Sequence, residues 1–210
     1  MLFGLWVIFV RLDKNERLVY NDSNKPSVER RKRRKEKNML YLAYGSNLSI
    51  SQMTYRCPDA VLVGRGFLKD WKLVFHYHAD IERAKGEAVP FVVWNISKED
   101  EKRLDRYEGV KGGYYRKITV RVRFAPFTEE EKKQLKIGGK LHGTERKAHT
   151  ERATEAKAMV YVMTADNKRE NRLPSEEYLE TIEEGYERFG FDRGILESAV
   201  NGCSEYLDNI

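Results

Sequence analysis

Two short segments carry the residues best suited to chemistry. Tyr41-Leu-Ala-Tyr-Gly-Ser-Asn47 reads as a strand running into a glycine-opened turn and then a helix. Such a junction aims unpaired backbone N–H groups at one spot, which suits a small anion such as a carboxylate. Gly45 permits a positive φ or a close backbone approach, and Ser46 and Asn47 are natural N-cap residues. Farther along, Leu104-Asp-Arg-Tyr-Glu-Gly-Val110 sets a single carboxylate, Glu108, against a glycine and among apolar neighbours. A lone acid near an anion-binding turn is a candidate general base. The pair predicts an enzyme acting on an amino-acid-like molecule.

These residues resemble the gamma-glutamylcyclotransferase family, which belongs with the AIG2-like proteins. Residues 41–47 are similar to its YGSN signature, and residues 104–110 to the segment around its catalytic glutamate. Residues 66–75, 92–94, 113–116 and 160–164 fit in order, so the likeness runs from Met39 to Phe189. The resemblance implies an α+β domain whose mixed, strongly curved sheet forms a small barrel with flanking helices. It implies catalysis by Glu108 and substrate contacts at Tyr41, Leu42, Ala43, Tyr44, Gly45 and Ser46, with a late-strand tyrosine matched by Tyr161. A small gamma-glutamyl substrate, no cofactor and no metal follow, with a homodimer allowed. Related proteins of this fold act on gamma-glutamyl-amines or glutathione, which leaves the leaving group open. Pro90-Phe91 also departs from the glycine common at that place in the family, which bears on substrate preference. The rival reading is a non-catalytic binding or interaction module that keeps the pocket.

The implied reaction needs no metal. A gamma-glutamyl compound carries its α-amine on the same molecule as the amide carbonyl that the amine attacks. Ring closure gives 5-oxoproline and frees the amine partner, so the enzyme's work is to fold the substrate and manage protons. An α-ammonium ion and an ordinary glutamate differ by about 3.5 pKa units, roughly 5 kcal/mol of uphill proton transfer. Burial of Glu108 beside Tyr107, Gly109 and Val110 narrows that gap and lets the same group act as base and then acid. The bland alternatives are a surface glutamate ending a helix, an ordinary capped turn, and Tyr161 as a core aromatic. Asp105, near Glu108 in sequence, reads as solvated.

Several elements must position these groups. Residues 40–44 read as a buried strand, and 49–56 as a helix that ends because Pro58 disfavours helical geometry at Cys57. Residues 60–63, 71–77, 89–96, 115–124 and 158–164 are rich in β-branched and aromatic side chains and read as strands. Ser97-Lys-Glu-Asp100 is a capping box, opening a helix that ends near Gly109 and leaves Glu108 at its C-terminal end or just beyond. Residues 176–189 and 192–207 carry helical apolar spacing. The lysine- and glutamate-rich stretch 127–157 is expected to be an exposed, partly helical insertion without a catalytic role.

Charge argues against a nucleic-acid function. Of 39 basic and 33 acidic side chains, residues 1–38 hold 11 and 5, and the remainder holds 28 of each. A domain over 39–210 is therefore neutral, and any polyanion steering belongs to the basic N-terminal extension. That extension reads as a disordered tail or as translation from a start upstream of Met39. Its apolar run of ten residues is too short to span a bilayer and precedes its basic charge, the reverse of a signal peptide. Two distant cysteines, Cys57 and Cys203, predict neither a metal site nor a disulfide framework, and point to the cytoplasm. His76 and His78 are expected on one face of a strand, a pair that lacks the further ligands of a closed zinc site.

Overall fold

The computed structural model describes residues 39–136, 153–168 and 172–207. The basic extension 1–38 and residues 137–152 lie outside the described residues. Five strands close into a barrel: β1 (Met39–Ala43), β2 (Val61–His76), β3 (His78–Ile96), β4 (Tyr115–Pro126) and β5 (Thr154–Met163), in the spatial order β1-β3-β2-β4-β5. Every pairing is antiparallel except that of β5 with β1, joined at Tyr41 and Met159. Among the described residues five α-helices flank it: α1 (Ile50–Arg56), α2 (Lys98–Tyr107), α3 (Glu129–Lys136), α4 (Glu176–Phe189) and α5 (Arg193–Leu207). The expected α+β barrel is thus present. No helix among the described residues is long and apolar enough to cross a membrane.

The strands run longer than their apolar signals. Residues 60–63 and 71–77, expected as separate strands, contribute residues 61–63 and 71–76 to the single strand β2, which bends at register shifts by Gly64 and Asp70. β3 begins well before residue 89, through a polar stretch that the hydrophobic pattern does not mark. His76 and His78, expected on one strand, end β2 and begin β3. They sit opposite each other across a turn at Tyr77, whose φ is 75°. Near them, ligand atoms of His76, Asp80 and Glu82 lie within 4.8 Å of one another. The Lys168 ammonium already fills the position of a cation there, 2.8 Å from Asp80 and 3.0 Å from Glu82.

Closure of the barrel depends on close backbone approach. β2 meets β4 only over Gly64–Gly66, opposite Phe124–Pro126. A Cβ on Gly64 would lie 2.3 Å from the Ala125 carbonyl oxygen, backbone that cannot swing aside. Gly64→Ala should therefore destabilise the protein by about 1–3 kcal/mol, the usual range for overpacking. Thermal melting checks this, and an unchanged Tm would show that the seam yields.

The expected exposed insertion is narrower than residues 127–157. Phe127 is buried and stacks on Phe189 at 6.0 Å, Leu135 of α3 is buried, and residues 154–157 form the start of β5. Arg65 of β2 ties α3 to α4, with 3.4 Å to Glu131 and a 2.6 Å donation to the Phe189 carbonyl. Two apolar side chains amid many charged ones leave no periodicity to read, yet they suffice to dock a helix.

Candidate active site

Local sequence places Glu108. The Ser97 hydroxyl accepts the Asp100 N–H at 3.1 Å and the Asp100 carboxylate accepts the Ser97 N–H at 3.2 Å, the reciprocal bonds of the expected capping box. Leu104 is buried and fixes the facing of α2, and Glu108 occupies the C-cap with φ −82° and ψ 0°. β1 delivers the other half of the site and turns at Gly45 into a short 3-10 segment, Ser46–Leu48.

The side chain that joins the halves is Asn47. Its amide nitrogen donates to the Tyr41 hydroxyl at 2.8 Å and to Glu108 Oε1 at 3.0 Å, while its oxygen accepts from Arg56 Nη1 at 2.8 Å. Asn47 is therefore not an N-cap, and neither is Ser46. Ser49 caps α1 instead, accepting the Gln52 N–H. Of the two reasons expected for a glycine at 45, a positive φ does not apply, since its φ of −112° is ordinary. Glycine is needed there for space: a Cβ would lie 3.1 Å from the Ala79 Cβ and 3.4 Å from the Tyr178 hydroxyl.

Burial pushes the Glu108 carboxyl up to about 7, opposed by the nearby Arg56 charge and by the Asn47 hydrogen bond. The residue as a whole is half-buried, so the desolvated part is the carboxyl end. A carboxyl in this range holds or releases a proton near neutrality, as a base that must later serve as an acid requires.

The remaining expected contacts fall into two groups. Tyr41, Leu42, Ala43 and Tyr44 are buried, and the Leu42 side chain packs in the core, so a ligand could meet it only through its backbone. The Tyr44 hydroxyl donates to the Tyr161 carbonyl at 2.8 Å, and the Tyr41 and Tyr161 rings meet edge to face at 5.7 Å. The Tyr161 hydroxyl donates to Asp105 at 2.7 Å, and Lys117 pairs with the other oxygen of that carboxylate at 2.9 Å. Asp105 is thus a fixed partner for Tyr161 rather than a solvated acid.

Tyr178 of α4 was not singled out by the sequence. Its hydroxyl lies against Gly45 and accepts the Ala79 N–H at 3.3 Å, with Ser46 close enough to favour the phenolate. Burial nonetheless pushes its pKa up to about 12, and burial likewise raises Tyr41, Tyr44, Tyr115 and Tyr161. All five remain neutral phenols at physiological pH. An anion entering the 45–47 turn would meet backbone N–H groups and a phenol together.

A closed barrel carries at its edge a desolvated carboxyl raised toward neutrality and held by an asparagine of the 45–47 turn, an arrangement that can exchange a proton with a small molecule. The chain belongs to the gamma-glutamyl cyclotransferase, AIG2-like family, which matches residues 41–180. It is 38% identical over 97 residues to the gamma-glutamylcyclotransferase of Bos taurus, covering 40% of this chain and 52% of that protein. With the gamma-glutamylcyclotransferase of Homo sapiens the identity is 37% over 99 residues, covering 41% and 53%. The chain thus spans about half the length of the curated relatives it matches. Among solved structures, a gamma-glutamyl cyclotransferase superposes with a TM-score of 0.55 at 27% identity, covering 78% of this chain and 86% of its own. An uncharacterized protein from Homo sapiens gives 0.55 at 29% identity, covering 78% and 87%.

Proposed function

We propose that this chain cyclises the gamma-glutamyl group of gamma-glutamyl amino acids to 5-oxoproline, with Glu108 as the proton carrier. The observation that carries the reading is the Glu108 carboxyl, held 3.0 Å from Asn47 at the edge of the 45–47 turn and pushed up to about 7. Raising the carboxyl from 4.5 to about 7 narrows its gap to the α-ammonium by about 2.5 pKa units, so proton transfer becomes roughly 3 kcal/mol less costly. The backbone of Gly45 and Ser46 and the Tyr178 hydroxyl hold the substrate's α-carboxylate, which turns the α-nitrogen toward its own side-chain carbonyl. The nitrogen attacks as Glu108 takes its proton, the amide C–N bond breaks, and Glu108 returns the proton to the departing nitrogen. Over the reaction the α-nitrogen loses two protons and the departing nitrogen gains two; Glu108 carries one of them and the other is exchanged with solvent, so no cofactor or co-reactant enters.

Tyr41, Tyr44 and Tyr161 form the wall of this site through the bonds to Asn47, the Tyr161 carbonyl and Asp105. Two buried free thiols, Cys57 and Cys203, fit a reducing compartment such as the cytoplasm. The test is a screen of gamma-glutamyl amino acids and gamma-glutamyl-amines with detection of 5-oxoproline. Turnover of the amines alone would replace the proposed substrate class, and binding without turnover would favour a non-catalytic module.

Gly45→Val probes the carboxylate turn. Its methyl groups would crowd Ala79 and the Tyr178 hydroxyl, where the anion is to sit. KM should rise about tenfold or more, the loss of one charge-assisted hydrogen bond. An unaltered KM in the folded variant would take the anion-binding role away from this loop.

A further inference from the structure

The geometry points to a subsite on α2, built by Arg103 and Arg106 beside Arg56, that reads the carboxylate of the departing amino acid. It rests on the cyclising reaction proposed above and names what that reaction selects. Between α1 and α2 lies a depression of about 470 Å³, lined by Tyr55, Arg56, Arg103, Arg106 and Tyr107. It contains three guanidinium groups and two phenols, and no acid. The acids of α2 are engaged elsewhere. Glu99 pairs with Lys102 at 2.8 Å, Asp100 caps its own helix, and Glu101 and Asp105 share Lys117 at 2.6 and 2.9 Å. Arg103 and Arg106, one helical turn apart, make no close ion pair among the described residues, and their charges act on Glu99 only at longer range than its Lys102 partner. A lining that offers forked donors and contains no carboxylate of its own matches a planar carboxylate.

Arg56 ties the depression to the chemistry. Its guanidinium lies 4.7 Å over the Tyr107 ring and donates to Asn47, whose amide donates to Glu108. One amide side chain thus separates the depression from the carboxyl that returns a proton to the leaving nitrogen. An α-amino acid carries its own carboxylate two bonds from that nitrogen, and a short peptide carries it slightly farther. Either leaving group brings its negative charge to the arginines. A simple amine leaving group brings none, and a polyamine brings charge of the wrong sign.

The test compares gamma-glutamyl-L-alanine with gamma-glutamyl-ethylamine, which differ by that carboxylate alone, through kcat/KM for 5-oxoproline release. The parent protein should prefer the alanine compound by about tenfold or more, the worth of a hydrogen bond to a charged group. In Arg103→Gln/Arg106→Gln the ratio should fall to near one, mainly through KM, because the interaction holds substrate and transition state alike. A parent without the preference, or a folded double variant that keeps it, overturns the subsite while leaving cyclisation standing. Should the variant fail to fold, salt decides. Raising it from about 0.02 to about 0.5 M should shrink the parent's ratio by screening, and a salt-independent ratio also overturns the subsite. No 5-oxoproline from either compound overturns the reaction and the subsite together.

Discussion

Glu108→Gln is expected to lower 5-oxoproline formation by about 10²–10⁴-fold, the usual cost of removing a general acid–base group. Gln keeps the size of the side chain and an oxygen for the Asn47 donor, but it cannot take a proton from an ammonium ion. Substrate should still bind, because the 45–47 turn that holds its carboxylate is untouched. In the parent, kcat/KM should rise with pH through an ionisation at about 7, and the variant should lack that limb. Near-full activity in the variant, on a compound the parent turns over, would mean that another group is the base.

The same substitution has a stability signature with a definite sign. A buried acid whose folded pKa is raised binds its proton more tightly in the folded state than in the unfolded one. Folding stability therefore falls as pH rises from the ordinary value of 4.5 through about 7, and the full cost is present above that. Neutral Gln escapes this cost. Glu108→Gln should melt higher than the parent above pH 7, with the gap closing as pH falls toward 4.5. Lower activity with higher stability in one variant distinguishes a working acid from a structural one.

What the sequence made legible was local. The capping box at Ser97, the stop before Pro58 and the apolar stripe of α4 each depend on neighbours a few residues away, and each is present. The partners of the site are not local. Asn47 reaches Glu108 across 61 residues of chain, Tyr161 reaches Asp105 across 56, and Tyr178 reaches Ala79 across 99. In the sequence Tyr178 is one more aromatic on a helix stripe with Leu179, Ile182 and Tyr186. Only the docking of α4 on the barrel turns its hydroxyl to the turn. The long β2–β3 hairpin was hidden for a different reason. Its outer part, around Glu82–Glu87, faces solvent widely and so lacks the apolar alternation by which strands are recognised.

Asn47→Leu should be the most damaging change that leaves every titratable group in place. Leucine is close to asparagine in shape but donates nothing, so the buried Tyr41 hydroxyl and the Glu108 carboxyl both lose their shared donor, and Arg56 loses its acceptor. Leaving a buried polar group unsatisfied costs about 1–3 kcal/mol each, so Tm should fall measurably. The functional effect follows from the sign of the lost bond. The Asn47 donor holds the Glu108 pKa down against burial, and without it the pKa climbs further. Less of Glu108 is then ionised at neutral pH, and activity there should drop about tenfold or more. The rising limb of kcat/KM should move to higher pH, so that the deficit narrows in alkaline buffer. Asn47→Asp should move it further, because a second carboxylate would then face Glu108. A limb that stays at the parent's pH in both folded variants would sever Asn47 from the proton chemistry and leave it as a strut for Tyr41 alone.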